Sequence, residues 1–311
     1  ELYSIFLKMG YCRTEEEAAD IKAYFQKQLP KYTFSELGFR ERLWLYKANL
    51  WYSFLIQDFL GCYRYSMKWN DLFKEYEHLI PIHPVSYLKG NHYLLESLFY
   101  LNHTELFEKT LKHLEDSLRN PKIPHDDNIA ALAFLYVYSN KLNLRFMKGQ
   151  FSNAEELIER ISKKIDKFKD RLDEHHIMIF YYKIACLYFG DGNNKKCIEF
   201  LKKIINNKSL EMREDLMCFA RILNLVAHYE AGLDYHLDSL VKSTYRFLIK
   251  MNDLHEVQKE MIKFLRNLPD VSPLNIKDEF RELHGKLKKY EDHPFERRAF
   301  LYLDIISWLE S

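Results

Sequence analysis

The sequence predicts an all-α protein, a right-handed α-solenoid of antiparallel helix pairs. Apolar residues recur at spacings of three and four along most of the chain, which is the period of a helix face. Gly and Pro number only 9 and 8 among 311 residues, too few for the turns of a sheet protein. Turn signals also recur at nearly regular intervals, so helix pairs are expected to stack and bury each other's apolar faces.

The clearest helix pair lies within residues 173–206, where a Gly-Asp-Gly-Asn turn separates two apolar stripes. Lysines and a glutamate fill the positions between the apolar residues of the second stripe, as on a half-exposed helix. Two helices with one apolar face each cannot bury both faces, so neighbouring pairs are predicted on either side. The stripe residues are Ile177, Phe180, Tyr181, Ile184, Ala185, Leu187 and Tyr188, then Ile198, Leu201, Ile204 and Ile205.

The N-terminal region is predicted to hold one helix before the first pair. Residues 1–9 resemble the end of a helix, and because the chain starts at Glu1 we expect an N-terminal part before it. Thr14 and Glu17 have the spacing of a capping box, which predicts a helix that ends before Pro30.

Five helix pairs are predicted next, with turns separated by 45, 47, 43 and 40 residues. Spacing this regular indicates a structural repeat. The turn residues are Gln57, Asn102, Gly149, Gly192 and Gly232. The predicted pairs span 35–55 with 59–79, 85–101 with 105–118, 128–148 with 153–172, the two halves of 173–206, and 214–231 with 235–251.

Three further helices are predicted after the fifth pair, at 254–268, 277–290 and 294–309. Pro294 at a first helical turn, with Glu296 behind it, favours a helix start. Apolar residues of the last helix predict that it docks on the final pair and caps the solenoid: Ala299, Leu301, Ile305 and Trp308.

Domain organisation follows from this pattern. We predict one continuous solenoid domain over residues 1–311, with about five to six helix pairs and residues 294–311 as a capping helix.

Charge and composition restrict the function. The 46 basic and 45 acidic residues give a net charge of +1, without the positive field typical of proteins that bind nucleic acid or anionic membranes. No apolar run reaches the length of a membrane span, and the first residues lack a signal-peptide pattern, so a cytoplasmic protein is expected. The basic clusters are expected on solvated helix faces: Lys163, Lys164, Lys167, Lys169 and Arg171, then Lys195, Lys196, Lys202 and Lys203.

Motifs for catalysis, metals and cofactors are absent from the sequence. It holds no G-x-G-x-x-G, P-loop, G-x-S-x-G or H-E-x-x-H. His175 and His176 are adjacent and therefore point in different directions on a helix, as expected for a surface pair. His92 and Glu96 share a helix face, but one pair makes neither a metal site nor a triad. We therefore expect no enzyme, metal or cofactor.

Around the third and fourth turns the residues resemble the tetratricopeptide repeat. They are Gly149, Gln150, Phe151, Ala154, Ile158 and Ile161, and Gly192, Asn193, Asn194, Cys197, Leu201 and Ile204. In that family the glycine ends the first helix, the next aromatic packs between helices, and a small residue lets the second helix approach. The fifth turn matches less closely, and the first two lack glycine. Separations above the family's 34 residues imply longer helices or loops.

The chain as a whole resembles the C-terminal region of uncharacterised tetratricopeptide-like proteins of Bacteroidetes-type bacteria. The stretches REDLMCFARILNLVAHYEAG and DIISWLES carry this resemblance. It implies a fold but no activity.

The resemblance implies a concave groove, lined by the first helix of each pair, that holds a peptide or a partner helix. The family's groove positions also include Ser139, Ile179 and Ile222. Nine residues are expected to bind the partner: Tyr136, Asn143, Phe146, Tyr182, Cys186, Phe189, Phe219, Val226 and Tyr229.

Two features limit what can be expected of that groove: its ligand and whether it is open. Of the Lys-Asn carboxylate clamp found in some family members only Asn143 is present, opposite Cys186 and Val226, so a free C-terminal carboxylate is not the expected ligand. The alternative to an open groove is that longer helices close it and make these residues core.

The five cysteines favour reduced, buried thiols, because they are odd in number, scattered and without a C-x-x-C pair. Cys186 is expected on the groove face and Cys197 at the helix crossing. A bulky thiol reagent is then expected to modify Cys186 faster than Cys197.

The leading hypothesis from the sequence is a non-catalytic interaction scaffold that binds another protein, a peptide or its own copy through the groove. The alternative is a regulatory or sensory helical domain that binds a small apolar ligand or a peptide and acts on a missing N-terminal domain.

Overall fold

The computed structural model describes residues 2, 4, 5, 11, 12, 14–29, 36–121, 123, 124, 126–207, 214–233, 237–251, 256–267 and 275–296. These residues form α-helices, short 3-10 turns and connecting turns, and no strand occurs among them. The predicted all-α class is confirmed for this part of the chain. The chain divides into two compact units, residues 1–149 and 150–311.

The first unit contains six of the described α-helices. They are α1 (Glu15–Gln28), α2 (Phe39–Leu55), α3 (Phe59–Glu75), α4 (Pro84–Tyr100), α5 (Thr104–Ser117) and α6 (Asp127–Met147), with a 3-10 helix, η1 (Glu77–Leu79), between α3 and α4. Successive helices pack on each other, and α4 also packs directly on α6. Each second helix of a pair thus contacts the first helix of the next pair.

The second unit contains the remaining seven described α-helices. They are α7 (Glu155–Phe168), α8 (Glu174–Gly190), α9 (Asn194–Ile205), α10 (Glu214–Glu230), α11 (Leu237–Met251), α12 (Glu256–Asn267) and α13 (Ile276–Lys288). From α8 onward each helix packs on the next, and α8 packs on α10 as α10 does on α12. The packing of helices in adjacent pairs is therefore compatible with a helical repeat.

The predicted turns share one backbone conformation. Gln57, Asn102, Gly149, Gly192 and Gly232 all have positive φ, between 52° and 74°. At four of the five turns the next residue donates its N–H to the carbonyl oxygen five residues back, as Asn193 does to Tyr188 at 2.8 Å. This bonding is the Schellman motif, which satisfies the last carbonyls of a helix and reverses the chain. The five predicted turns are thus confirmed as left-handed turns between helices, and four of them share this hydrogen bond.

Backbone conformation and capping residues set where the helices begin, and the apolar stripes alone do not predict these boundaries. α7 begins at Glu155 rather than 153, because Asn153 has a φ of 58° that a helix cannot contain. The predicted capping box is partly confirmed: Thr14 Oγ1 accepts the Glu17 N–H at 3.2 Å and α1 follows.

The predictions at the chain ends lie mostly outside the described residues. This holds for most of residues 1–9 and for 297–309 of the predicted capping helix. Phe295 and Glu296 are described, lie in a turn and are buried. Glu296 accepts hydrogen bonds from the backbone N–H groups of Glu256 and Val257, at 3.1 and 3.4 Å, and so caps the start of α12.

The lysines assigned to solvated faces are exposed, except for half-buried Lys164. Four of them lie over aromatic rings: Lys164 and Lys167 over Phe168, Lys196 over Tyr188 at 5.0 Å and Lys203 over Phe200 at 4.3 Å. These lysines cover apolar surface with their stems while their charge stays in water. In the described part of the chain, no helix has the length and apolar character to cross a bilayer.

Candidate functional site

The predicted groove residues of the first unit lie on α6 and are largely enclosed. Tyr136 and Asn143 are 5% and 3% exposed, Ser139 is buried, and Phe146 is half-buried. Tyr136 stacks on His92 of α4, with ring centroids 4.3 Å apart. These residues therefore pack between helices in the described structure.

The predicted residues on α8 and at the start of α10 are likewise packed inside the second unit. Tyr182 and Cys186 are buried, whereas Phe189, Ile179 and Phe219 are half-buried. The ring centroids of Tyr182 and Phe219 are 6.4 Å apart.

Farther along α10, helices α12 and α13 cover the predicted groove positions. Ile222 and Val226 belong to a core cluster that includes Met261 of α12 and Leu287 of α13. The half-buried Tyr229 lies 6.1 Å from Phe280 of α13, centroid to centroid. This placement matches the alternative in which the groove positions are core. Partner binding by any of the nine residues stays a prediction.

One expectation from the groove needs correction. Cys186 is as buried as Cys197, at 1% and 0% exposure. Burial raises the pKa of the Cys186 thiol to about 12 and that of Cys197 still further. The expectation that a bulky thiol reagent modifies Cys186 faster than Cys197 is therefore not supported. Both residues are buried, and both thiols form little thiolate.

An accessible surface with suitable chemistry lies instead on α2 and α4 of the first unit. We call it the Trp44 surface, and it consists of Trp44, Lys47, Trp51, Ser86, Lys89 and Tyr93. Trp44 is 68% exposed, and the other five are half-buried. It contains the most exposed large hydrophobic side chain of the described residues.

Helical spacing brings these side chains together. Trp44, Lys47 and Trp51 are separated by three and four residues on α2, and Ser86, Lys89 and Tyr93 have the same spacing on α4. The rings of Trp51 and Tyr93 meet edge to face, with centroids 5.5 Å apart and planes at 76°. Lys47 Nζ donates to Ser86 Oγ at 3.3 Å and joins the two helices at the other end.

Lys47 and Lys89 give the surface a positive charge that no carboxylate balances. Lys47 Nζ lies 5.1 Å from the Trp44 ring centroid and 4.8 Å from that of Trp69. Burial, and secondarily the charge of Lys89, lowers the pKa of Lys47. Among the described residues neither lysine has a carboxylate within ion-pair distance. An anionic group brought to this surface would relieve the repulsion between the two cations.

A second group of polar side chains continues along α4 to α6. His92 Nε2 lies 3.8 Å from Glu96 Oε2, and His92 Nδ1 lies 3.3 Å from Asn140 Nδ2. Asn140 is fully buried, donates to the Tyr136 carbonyl at 2.7 Å, and accepts weakly from Asn143 at 3.4 Å. The contact between His92 and Asn140 joins α4 to α6, and the other two hydrogen bonds hold the Asn140 amide in place within α6.

Part of the Trp44 surface could have been predicted from the sequence. Trp44 and Trp51 are seven residues apart, so on a predicted helix they share one face. The link from His92 to Asn140 joins residues 48 apart in sequence and carries no local pattern. Helical period alone could not predict it.

The histidine pair lies in the first turn of α8, which directly follows the N-cap residue Asp173. Asp173 accepts the backbone N–H of His176 at 2.9 Å, and Asp173 Oδ2 lies 2.6 Å from His176 Nδ1. In the part of the chain that the structure describes, no three His, Cys, Asp or Glu side chains are placed to hold a metal ion.

Comparison with known proteins adds no relative, because neither the models of protein families nor the curated proteins match this chain.

Proposed function

We propose that the chain is an α-solenoid of tetratricopeptide-like helix pairs and acts as a non-catalytic interaction module. The repeated left-handed turns support the solenoid, as does the packing of successive helices from α1 to α6 and from α8 to α13. Phe151, the aromatic after the third turn, packs against Gly190 so closely that a Cβ there would clash with its ring. The resemblance expects that aromatic residue to pack between helices, and its contact with the end of α8 supports the proposal.

The proposed binding site is the Trp44 surface, and the observation that carries the proposal is an exposed tryptophan beside two unbalanced lysines. A ring that is 68% exposed costs free energy in water and is available for burial by a partner. Tryptophan and basic residues are frequent anchors of protein interfaces. The proposed partner is a peptide or helix of another protein, with an apolar side chain to cover Trp44 and a carboxylate for Lys47 and Lys89.

Selection of binders from a displayed peptide library tests this proposal. We expect peptides that combine an acidic residue with an aromatic or aliphatic one, and an affinity that falls with added salt because the ion contacts are partly exposed. Trp44→Ala and Lys89→Glu should each weaken binding about fivefold or more, and changing the peptide's acid to lysine should restore binding to Lys89→Glu.

Lys195→Glu is a matched control, since Lys195 is exposed on α9 of the second unit. Equal binding by the wild type, Trp44→Ala and Lys89→Glu would refute the proposed site. Circular dichroism of each variant shows whether the helices are retained.

A further inference from the structure

A cleft on the opposite side of α4 from the Trp44 surface has the properties of a second, separate binding site. It has a volume of about 330 Å³ and lies entirely in the first unit, between α3, η1, α4 and α5. The residues that matter for its chemistry are Asn70, Phe73, Tyr87, Asn91, Leu106 and Thr110. Its size is at the lower end of the range for small-molecule sites.

Asn70 lines the cleft and has an acceptor that no described protein group uses. This residue of α3 is only 8% exposed. Its Nδ2 donates to the carbonyl oxygens of Ser66 and Gly90, both at 2.8 Å, so both amide hydrogens are used. Its Oδ1 accepts from no donor in the described part of the chain. This oxygen keeps some accessible surface although its residue is buried, so a donor that enters the cleft can reach it.

Asn91 and Thr110 add a second acceptor and two donors. Asn91, 3% exposed on α4, gives one amide hydrogen to the Tyr87 carbonyl at 3.0 Å. Its other hydrogen and its oxygen have no partner among the described residues, and the same holds for the hydroxyl of Thr110, which is 9% exposed on α5. Three side chains at least nine-tenths buried therefore line one cleft with unused hydrogen-bonding groups.

The walls and the rim restrict the ligand. Phe73, Tyr87 and Leu106 provide apolar walls. The charged lining residues lie at the rim, where Lys109 is exposed and Lys74 forms an ion pair with Asp71 at 2.8 Å. The buried groups are neutral, and a charged ligand group placed among them would lose its hydration without compensation.

We propose that this cleft binds an uncharged ligand that carries a carboxamide on an apolar body. A carboxamide presents N–H donors to Asn70 Oδ1 and Asn91 Oδ1 and a carbonyl acceptor to Asn91 Nδ2 and Thr110 Oγ1. The apolar body packs on Phe73, Tyr87 and Leu106. This chemistry exists both in small amides and in a peptide segment, and the proposal is independent of the partner proposed for the Trp44 surface.

Nuclear magnetic resonance titration of the full chain with N-acetyl-L-leucinamide tests the proposal. Saturable chemical-shift changes at residues of the cleft are expected in the millimolar range for a ligand of this size. N-acetyl-L-leucine methyl ester is the matched control ligand, because it lacks the terminal N–H donors and should bind about fivefold more weakly or worse. Tighter binding of a blocked Ala-Leu-Ala tripeptide would identify a peptide segment as the source of the amide, and unchanged binding would identify a small molecule.

Two variants test the location. Thr110→Val keeps the side-chain shape and should weaken the amide about fivefold, and Leu106→Trp should abolish binding by filling the cleft. Lys112→Ala, exposed on the same helix and outside the cleft lining, is the control. The proposal would be overturned if the amide and the ester bound with equal affinity, or if Thr110→Val bound the amide as tightly as the wild type. Either result would mean that only water bonds the polar side chains of the cleft. Thr110→Val tests whether the amide binds in the cleft even if Leu106→Trp does not fold.

Discussion

The indole of Trp69 lies against the backbone of Gly90. A Cβ atom added at Gly90 would come within 2.9 Å of both Cδ1 and Nε1 of the ring. Asn70, the next residue of α3, donates to the Gly90 carbonyl oxygen at 2.8 Å. The crossing of α3 and α4 therefore depends on the absence of a side chain at residue 90, and the hydrogen bond to Gly90 holds Asn70 in the lining of the cleft.

Replacing Gly90 by alanine is expected to destabilise the first unit. The new methyl group must displace Trp69, which is 1% exposed and has no space to move. Overpacking of this kind costs about 1 to 3 kcal/mol. Urea denaturation followed by circular dichroism measures the loss.

Gly285→Ala is the matched control. Gly285 lies in α13, and a Cβ there would meet nothing within 4 Å. Alanine at that position should stabilise by about 0.5 to 1 kcal/mol through its better helix propensity. A Gly90→Ala variant as stable as Gly285→Ala would show that the two helices do not cross as described.

The turn at Asn102 gives a second prediction. Asn102 has a φ of 52° and an exposed side chain. Asn102→Ala should cost about 1 kcal/mol, since alanine tolerates this backbone region poorly, whereas Asn102→Gly should be at least as stable as the wild type. Thermal unfolding of the two variants checks the order. If both unfolded at the same temperature, the positive φ at this turn would not be required.

Much of the fold was predictable because its signals are local. Periodic apolar stripes indicate helices, and all five predicted turn residues have positive φ, including Gln57 and Asn102, which are not glycine. The positive φ of Asn153 was not predicted. Gln57 is retained at its turn by a long-range contact, a 2.9 Å hydrogen bond from Nε2 to the Cys12 carbonyl oxygen. Such contacts have no signature in sequence, so the pattern predicts the turn but not what stabilises it.

The candidate sites were much less predictable than the helices. Groove positions transferred from a repeat family assume that the first helices remain uncovered, but α12 and α13 bury Ile222 and Val226. The cleft depends on Asn70, Asn91 and Thr110, which are polar residues at inward helix positions. On a helical wheel they resemble interruptions of an apolar face, and only the packing of α3, α4 and α5 shows that they line one space.

Asp173 should give the second unit a stability that depends on pH. The hydrogen bond from His176, together with the charges of His176 and His175, lowers the pKa of Asp173 from 3.8 to about 2 despite partial burial. A lowered carboxyl pKa stabilises the folded state fully above pH 3.8, and this contribution is lost as pH falls through about 2.

Two substitutions separate charge from capping at this position. Asp173→Asn keeps an N-cap acceptor and should cost about 0.5 kcal/mol near neutral pH, a small value because the carboxylate is largely exposed. Asp173→Ala should cost about 1 kcal/mol, since it also removes the cap. Denaturant unfolding at several pH values measures both. A cost of Asp173→Asn that stayed constant down to pH 2 would contradict the ion-pair assignment.

Glu296 is expected to stabilise α12 from a distance of 40 residues in sequence. Its carboxylate accepts the first two N–H groups of that helix and is 9% exposed. Glu296→Ala should destabilise the second unit by about 1 to 2 kcal/mol through loss of the cap and of the favourable charge at the helix start. Asp292→Ala, at an exposed residue four positions before Glu296, should have little effect. Equal melting temperatures of the two variants would refute the capping role.

The last prediction concerns the five cysteines, all of which are buried and free. Burial raises the pKa of Cys186, opposed in part by the Tyr182 hydroxyl and the Lys183 charge, and burial likewise raises the pKa of Cys62. At pH 8 a bulky disulfide reagent should therefore leave the native thiols unmodified over minutes and react with all five after unfolding in guanidinium, because both access and thiolate are missing in the folded state.

Lys195→Cys provides an exposed thiol on α9 as an internal standard, and it should react at once. Mass spectrometry of the labelled peptides identifies each modified cysteine. Rapid labelling of Cys186 alone would show that the face of α8 opens in solution. The predicted groove would then again be a candidate for the partner site. Slow, equal labelling of Cys186 and Cys197 would mean that α8 is core and that partners bind elsewhere, as proposed for the Trp44 surface.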